Sequence, residues 1–158
     1  MMFKTHRMFI IFLSLILFYF IKVNFETGLF FLIVAVIASM IPDIDNPTSK
    51  LGKNIKLVGY LFKHRGFFHS LLALFIFSYI FSLFFSTLYA TAFFLGYLSH
   101  ILLDSITKKG VFLFYPFSLK ARGPFKTNSL FEKFIFIILT IAVIMLIVPY
   151  LFYLPILQ

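Results

Sequence analysis

Four short polar clusters hold every histidine and every aspartate of this chain: Thr5-His6, Pro42-Asp43-Ile44-Asp45, His64-Arg65-Gly66-Phe67-Phe68-His69-Ser70, and Ser99-His100 with Asp104. Each lies at the edge of an apolar run. Cysteine is absent, which excludes disulfides and thiolate-bound zinc. Any metal must therefore take imidazole and carboxylate ligands, a set that suits zinc or another divalent ion. The 4 histidines and the aspartates suffice for one or two centres.

The spacings say more. His100 and Asp104 share one face of a helix, with Cβ atoms about 5–6 Å apart. They could ligate one metal, or Asp104 could orient the ring of a ligating His100; a hydrogen-bonded packing pair is the structural alternative. Asp43 and Asp45 follow Pro42 in what reads as an extended turn, with one carboxylate expected at the metal and the other supporting it. Negative charge at a helix C-terminus opposes the helix dipole, so a purely structural role is less natural there. His64 and His69 would point about 140° apart on one continuous helix. Their convergence requires His64 in the loop and His69 in the first turn of the next helix. Gly66 permits that bend, and Ser70 is a candidate hydrogen-bond partner. The alternative is two interfacial histidines beside a snorkelling Arg65. His6 on its own is the weakest signal.

The elements that must position these groups are membrane helices. Hydrophobic residues make up 62% of the 158 and charged residues 12%, against about half and about a quarter in soluble domains. One all-α membrane domain over 1–158 is expected, with about five spans and interfacial loops. The apolar runs are Met8–Val23, Gly28–Ile41, Phe67–Phe85, Leu88–Leu103 and Phe134 to about Leu157, the last with a bend at Pro149. The first two are short for a span of about 20 residues. Nothing after the first run resembles a cleavage site, so it reads as a retained helix, turning into the second at Asn24–Thr27. Asn46-Pro47-Thr48-Ser49 is a turn signal, and the stretch 55–62 suits the interface.

The net charge of +9 fits basic cytoplasmic loops and anionic headgroups rather than nucleic acid. Lys4 and Arg7, the loop 42–66 (Lys50, Lys53, Lys56, Lys63, Arg65) and the loop 104–133 fall on one side of a five-span arrangement. That side is predicted to be cytoplasmic, with the N-terminus and all four polar clusters on it. Ionisable groups at the ends of apolar runs usually mark function.

The clusters, with Gly96-Tyr97-Leu98-Ser99-His100-Ile101-Leu102-Leu103-Asp104 continuing to Thr107, Gly110 and Pro116-Phe117, resemble the YdjM-type family of LexA-regulated inner-membrane proteins, regarded as metal-dependent hydrolases. His6 matches that family's N-terminal histidine. The family is similar, distantly, to the zinc-dependent phospholipase C and P1 nuclease group. Asn46 stands where many members have a histidine, and Phe68 where a threonine often precedes the second histidine. The resemblance implies phosphoester hydrolysis.

The resulting expectation is a hydrolase with a divalent metal, zinc foremost, at the cytoplasmic interface. His6, Asp43, His64, His69, His100 and Asp104 are the candidate ligands. Asp45 is the candidate catalytic carboxylate, with a ligand or supporting role as its alternative. Arg65 is the candidate oxyanion clamp through its planar fork. Membrane lipids are the expected partners, and a phospholipid headgroup the expected substrate class. A non-enzymatic metal-binding regulator is the main alternative. A metal or proton pathway is weaker, because no ionisable groups run through the depth of the spans.

Overall fold

A computed structural model describes residues 1–49 and 51–153. Lys50 and the end of the expected fifth span, 154–157, lie outside the described residues. The fold is all-α: α1 (Phe3–Ile21), α2 (Phe25–Ala38), α3 (Lys56–Leu61), α4 (Leu71–Ser82), α5 (Thr87–Ser105) and α6 (Leu130–Tyr153). Short 3-10 turns sit at Ile41–Asp45, Gly52–Asn54 and Phe67–His69. Among the described residues there is no strand, only two isolated bridges in the loop before α6.

α1 closes on Lys22 in the left-handed region (φ 45°), whose N–H returns to Phe18 O. Asn24 then caps α2 by accepting the Thr27 N–H at 3.0 Å, so the chain reverses within 22–24. α5 is central and packs on α2, α4 and α1, while α6 packs on α1. Close approach of α5 to α2 depends on Gly96, where a Cβ would stand 2.2 Å from the Ala35 carbonyl oxygen. One apolar core joins Ile10, Phe18, Phe31 and Ala35 with Ala92 and Val143. A second joins Ala38, Leu74, Phe93, Tyr97 and Ile101. The lipid-directed faces are apolar and exposed: Ile137, Ile141, Ile144 and Met145 of α6 are examples.

Among the described residues, three segments are long and apolar enough to cross a membrane: Phe3–Ile21, Phe25–Asp45 and Leu130–Pro149. This is a membrane protein. The expected third span is shorter than the run Phe67–Phe85, because α4 has only 12 residues. At about 1.5 Å per residue, that falls well short of the roughly 30 Å hydrocarbon core. Its N-terminus is fixed by Ser70, whose Oγ accepts the Ala73 N–H at 3.2 Å; the chain before it winds into a 3-10 turn instead. α5 has the length of a span at 19 residues, but carries Ser99, His100 and Asp104 and is buried at its inner end. α6 begins earlier than expected, at Leu130, where Ser129 Oγ accepts the Glu132 N–H at 3.3 Å. It passes through Pro149 without ending.

Because the helices run up and down, one end of the bundle collects the start of α1, the end of α2, the start of α4, the end of α5 and the start of α6. That end holds all four polar clusters.

Candidate metal centre

Each functional side chain enters from a different element. His6 comes from the first turns of α1 and is buried. Asp43 and Asp45 come from the turn that follows α2. That turn is a 3-10 helix with Pro42 in its first turn, not the extended chain expected from sequence. Proline's fixed φ suits a helical first turn. His69 sits in the 3-10 turn before α4 rather than in the helix itself. The bend between the two histidines is shared by Arg65, which is left-handed at φ 67°, and Gly66, whose φ −90° and ψ −118° lie outside the regions open to L side chains. Gly66 also serves proximity, since a Cβ there would lie 2.8 Å from the Lys63 carbonyl oxygen. Ser70 serves as the cap of α4 and donates to Phe67 O at 2.6 Å; it does not touch a histidine in the way the sequence suggested. His100 and Asp104 share one face of α5, one turn apart.

The rings are held from behind. His100 Nδ1 lies 2.7 Å from Ser39 O. A carbonyl only accepts, so Nδ1 carries the proton and Nε2 carries the lone pair. That Nε2 stands 3.8 Å from Asp43 Oδ1. His69 Nδ1 lies 3.3 Å from Asp45 Oδ2, and its Nε2 lies 3.8 Å from Asp43 Oδ1 and 3.9 Å from Asp104 Oδ2. His6 stacks on His100 at 4.0 Å with 8° between the planes, and its Nε2 is 3.3 Å from Asp104 Oδ1. His64 Nδ1 meets Asp45 Oδ1 at 2.7 Å, with 38% of its side chain exposed.

Three ligand sets result, each with donor atoms within 4.8 Å of one another: His6-His100-Asp104, Asp43-His69-His100 and Asp45-His64-His69. His100 and His69 are shared, so the sets form one continuous array. The array fits a divalent ion on the state of its own atoms. His69 Nε2 and His100 Nε2 are fully buried and have no hydrogen-bond partner. An unpaired buried polar atom is costly. Separations of 3.8–3.9 Å are too long for hydrogen bonds. They suit ligands each about 2.0–2.2 Å from a common ion. On the opposite side His100 Nδ1 donates to a carbonyl, the usual arrangement behind a ligating imidazole, while His69 Nδ1 stands 3.3 Å from Asp45 Oδ2 and is itself without a hydrogen-bond partner.

Two cations offset part of the carboxylate charge of the cluster. Arg65 Nη2 pairs with Asp104 Oδ2 at 2.7 Å, and Nη1 donates to Thr107 Oγ1 at 3.3 Å and Gly110 O at 3.2 Å. Its backbone N–H donates to Asp45 Oδ2 at 3.0 Å. The guanidinium fork is thus directed at Asp104 rather than outward. The Met1 ammonium also pairs with Asp104.

Three contributors act in ways that residue type does not report. Ser39 acts through its carbonyl, which no side-chain pattern reports. Thr107 acts through the hydroxyl on Arg65. Glu132 is buried and accepts backbone N–H groups from Met2 and Asn128, tying α6 to the start of α1; by sequence it falls in the polar loop before the fifth apolar run.

The model of the YdjM inner membrane protein family matches residues 1–156. The inner membrane protein YdjM of Escherichia coli (strain K12) is 40% identical over 115 residues, covering 64% of this chain and 58% of that protein. Its counterpart in Shigella flexneri matches to the same extent. The uncharacterized protein YvsG of Bacillus subtilis (strain 168) is 34% identical over 113 residues, covering 67% of this chain and 71% of that protein. The chain therefore spans 58% of the length of the first two relatives. No solved structure matches.

Proposed function

This chain belongs to the YdjM inner membrane protein family, and from that premise we propose that it is a metal-dependent hydrolase acting on a phosphoester at the cytoplasmic membrane face. The observation that carries the proposal is the pair of buried, unpartnered nitrogens, His69 Nε2 and His100 Nε2, turned toward Asp43. Ligation by His69, His100, Asp43 and Asp104, with His6 behind Asp104, accounts for them. A divalent cation held there supplies Lewis acidity.

The protein's own groups do the rest. Asp43 is the partly open carboxylate, with 23% of its side chain exposed, and borders the space a substrate would enter. His64 backs onto buried Asp45 through Nδ1. With 38% of the His64 side chain exposed, its Nε2 can exchange a proton with water or a leaving oxygen, as a histidine oriented by a carboxylate does. Arg65 holds Asp104 in place. A phospholipid headgroup is the fitting substrate class, because the site lies at one end of the helices, where headgroups lie.

The test is turnover. Purified protein assayed against a panel of phospholipids and phosphomonoesters should hydrolyse at least one. A chelator should abolish that activity and added zinc should restore it. Metal retained without turnover on any substrate would replace this reading with a metal-binding regulatory role.

The basic residues gathered at the site end, including Lys4, Lys63, Lys120 and Arg122, support the cytoplasmic placement. Reporter fusions after Pro47 and after Lys120 should report the cytoplasm, and a fusion at the C-terminus the outside. An external signal from either loop would reverse the orientation.

A further inference from the structure

Phe112 carries two lysine ammonium groups. Lys63 Nζ stands 5.3 Å from its ring centroid and Lys120 Nζ 5.2 Å. The three residues come from separate stretches, and backbone bonds bring them together. The Phe112 N–H donates to Arg65 O at 3.2 Å, which sets the ring beside the 63–65 turn. Val111 and Ala121 exchange backbone hydrogen bonds of 3.0 and 2.9 Å. Residues 112 and 120 each adjoin that antiparallel bridge, on opposite strands of the contact, which brings the ring and the lysine stem into one neighbourhood. The fold itself therefore places both cations.

Among the described residues they have no counter-ion. The chain has 5 acidic residues. Asp43, Asp45 and Asp104 belong to the His/Asp array, Glu132 is taken by backbone N–H groups, and Glu26 lies in the first turn of α2 at the far end of the hairpin. Among the described residues, no ion pair involves Lys63, Lys120 or Arg122. Partial burial, together with the Arg122, Arg65 and Lys63 cations, holds the Lys120 ammonium below its ordinary pKa. Insertion orientation explains how many lysines these loops carry, but not why two converge on one ring. The convergence lies at the site mouth, since Lys63 precedes the exposed His64. Tyr60, Leu61, Phe117 and Leu119 nearby in the chain are also exposed, as suits loops that rest in the headgroup boundary.

We propose that Lys63 and Lys120, seated over Phe112, form a phosphate-binding subsite at the mouth of the His/Asp array. Arg65 is committed to Asp104, so capture of an anionic substrate falls to these two lysines. The inference rests on the phosphoester reading above, and it is tested by binding rather than turnover. A lipid headgroup phosphate and the free phosphate ion share the required chemistry.

Purified protein is titrated calorimetrically with dihexanoyl phosphatidic acid and, separately, with inorganic phosphate. The Lys63→Gln/Lys120→Gln double variant should bind the tighter probe about tenfold or more weakly, the loss expected of charge-assisted hydrogen bonds, with metal content and melting temperature unchanged. Lys63→Arg/Lys120→Arg should stay within about threefold of the parent, because the charge is kept. Lys53→Gln/Lys126→Gln removes equal charge from exposed lysines of the same two loops and should also stay within about threefold. Preference for the lipid probe assigns the subsite to headgroups, and preference for inorganic phosphate assigns it to the free ion. Parent-like binding by the double glutamine variant, or an equal loss in the Lys53/Lys126 control, overturns the subsite. Lysine-dependent binding in a protein that hydrolyses nothing leaves the subsite standing and removes only the hydrolase reading.

Discussion

His69→Ala and His100→Ala should each leave the purified protein with less than about a tenth of the parent's divalent metal. Losing a group that merely orients a ligand costs roughly 10–100-fold in metal affinity, and these two rings are the shared members of the three ligand sets. Each offers a buried Nε2 that no other protein group satisfies. The two variants should differ in stability. His100→Ala strands the Ser39 carbonyl that His100 Nδ1 now serves, a loss of about 1–3 kcal/mol for an unsatisfied buried group, so melting temperatures are recorded beside the metal analysis. His69→Gln and His100→Gln keep most of the volume and give a second reading should either alanine variant fold poorly. His64→Ala should lose much less metal, since its Nδ1 is committed to Asp45 and its ring is partly exposed. Parent protein without metal, or equal metal in the parent and both inner-histidine variants, would reduce the array to packing.

Some of this arrangement was readable from residue spacing and some was not, for physical reasons. Helical periodicity puts His100 and Asp104 on one face whatever surrounds them. Apolar composition puts the chain in a membrane. Spacing cannot tell whether an apolar run starts its helix at its first residue, so α4 proved shorter than its run, fixed by the Ser70 cap. Nor can it tell an extended turn from a 3-10 turn after Pro42, since proline's φ suits both. The left-handed residue between His64 and His69 is Arg65 rather than the adjacent glycine, because tertiary contacts with Asp45 and Asp104 hold it there. Backbone acceptors such as Ser39 O, and the meeting of Lys63, Phe112 and Lys120, arise only from the tertiary fold.

Asp43 and Asp45 should fail differently when each is changed to asparagine. At three residues per turn, positions two apart in a 3-10 turn project about 120° apart. Asp43 accordingly faces the lone pairs of His69 and His100, each 3.8 Å from Oδ1, while Asp45 lies behind His69. Asp45 is fully buried and takes His64 Nδ1 at 2.7 Å and the Arg65 N–H at 3.0 Å, with His69 Nδ1 at 3.3 Å. An asparagine there keeps one acceptor oxygen and presents an NH2 group to neighbours that themselves donate. A half-satisfied buried network is costly, so Asp45→Asn should lower the melting temperature and weaken metal binding roughly 10–100-fold through its hold on His69. The Asp43 carboxylate is partly exposed and makes no short contact, so Asp43→Asn should melt like the parent when both are freed of metal. It should nonetheless lose metal at least as heavily as Asp45→Asn, by about 10–100-fold or more in affinity, because Asp43 faces both ligating nitrogens, and turnover should fall with the metal. Melting temperature, metal content and turnover measured together on both variants separate the two roles. Equal destabilisation of the two would contradict the division between a carboxylate facing the metal site and one supporting its histidines. Parent-level turnover in both would remove this turn from the chemistry altogether.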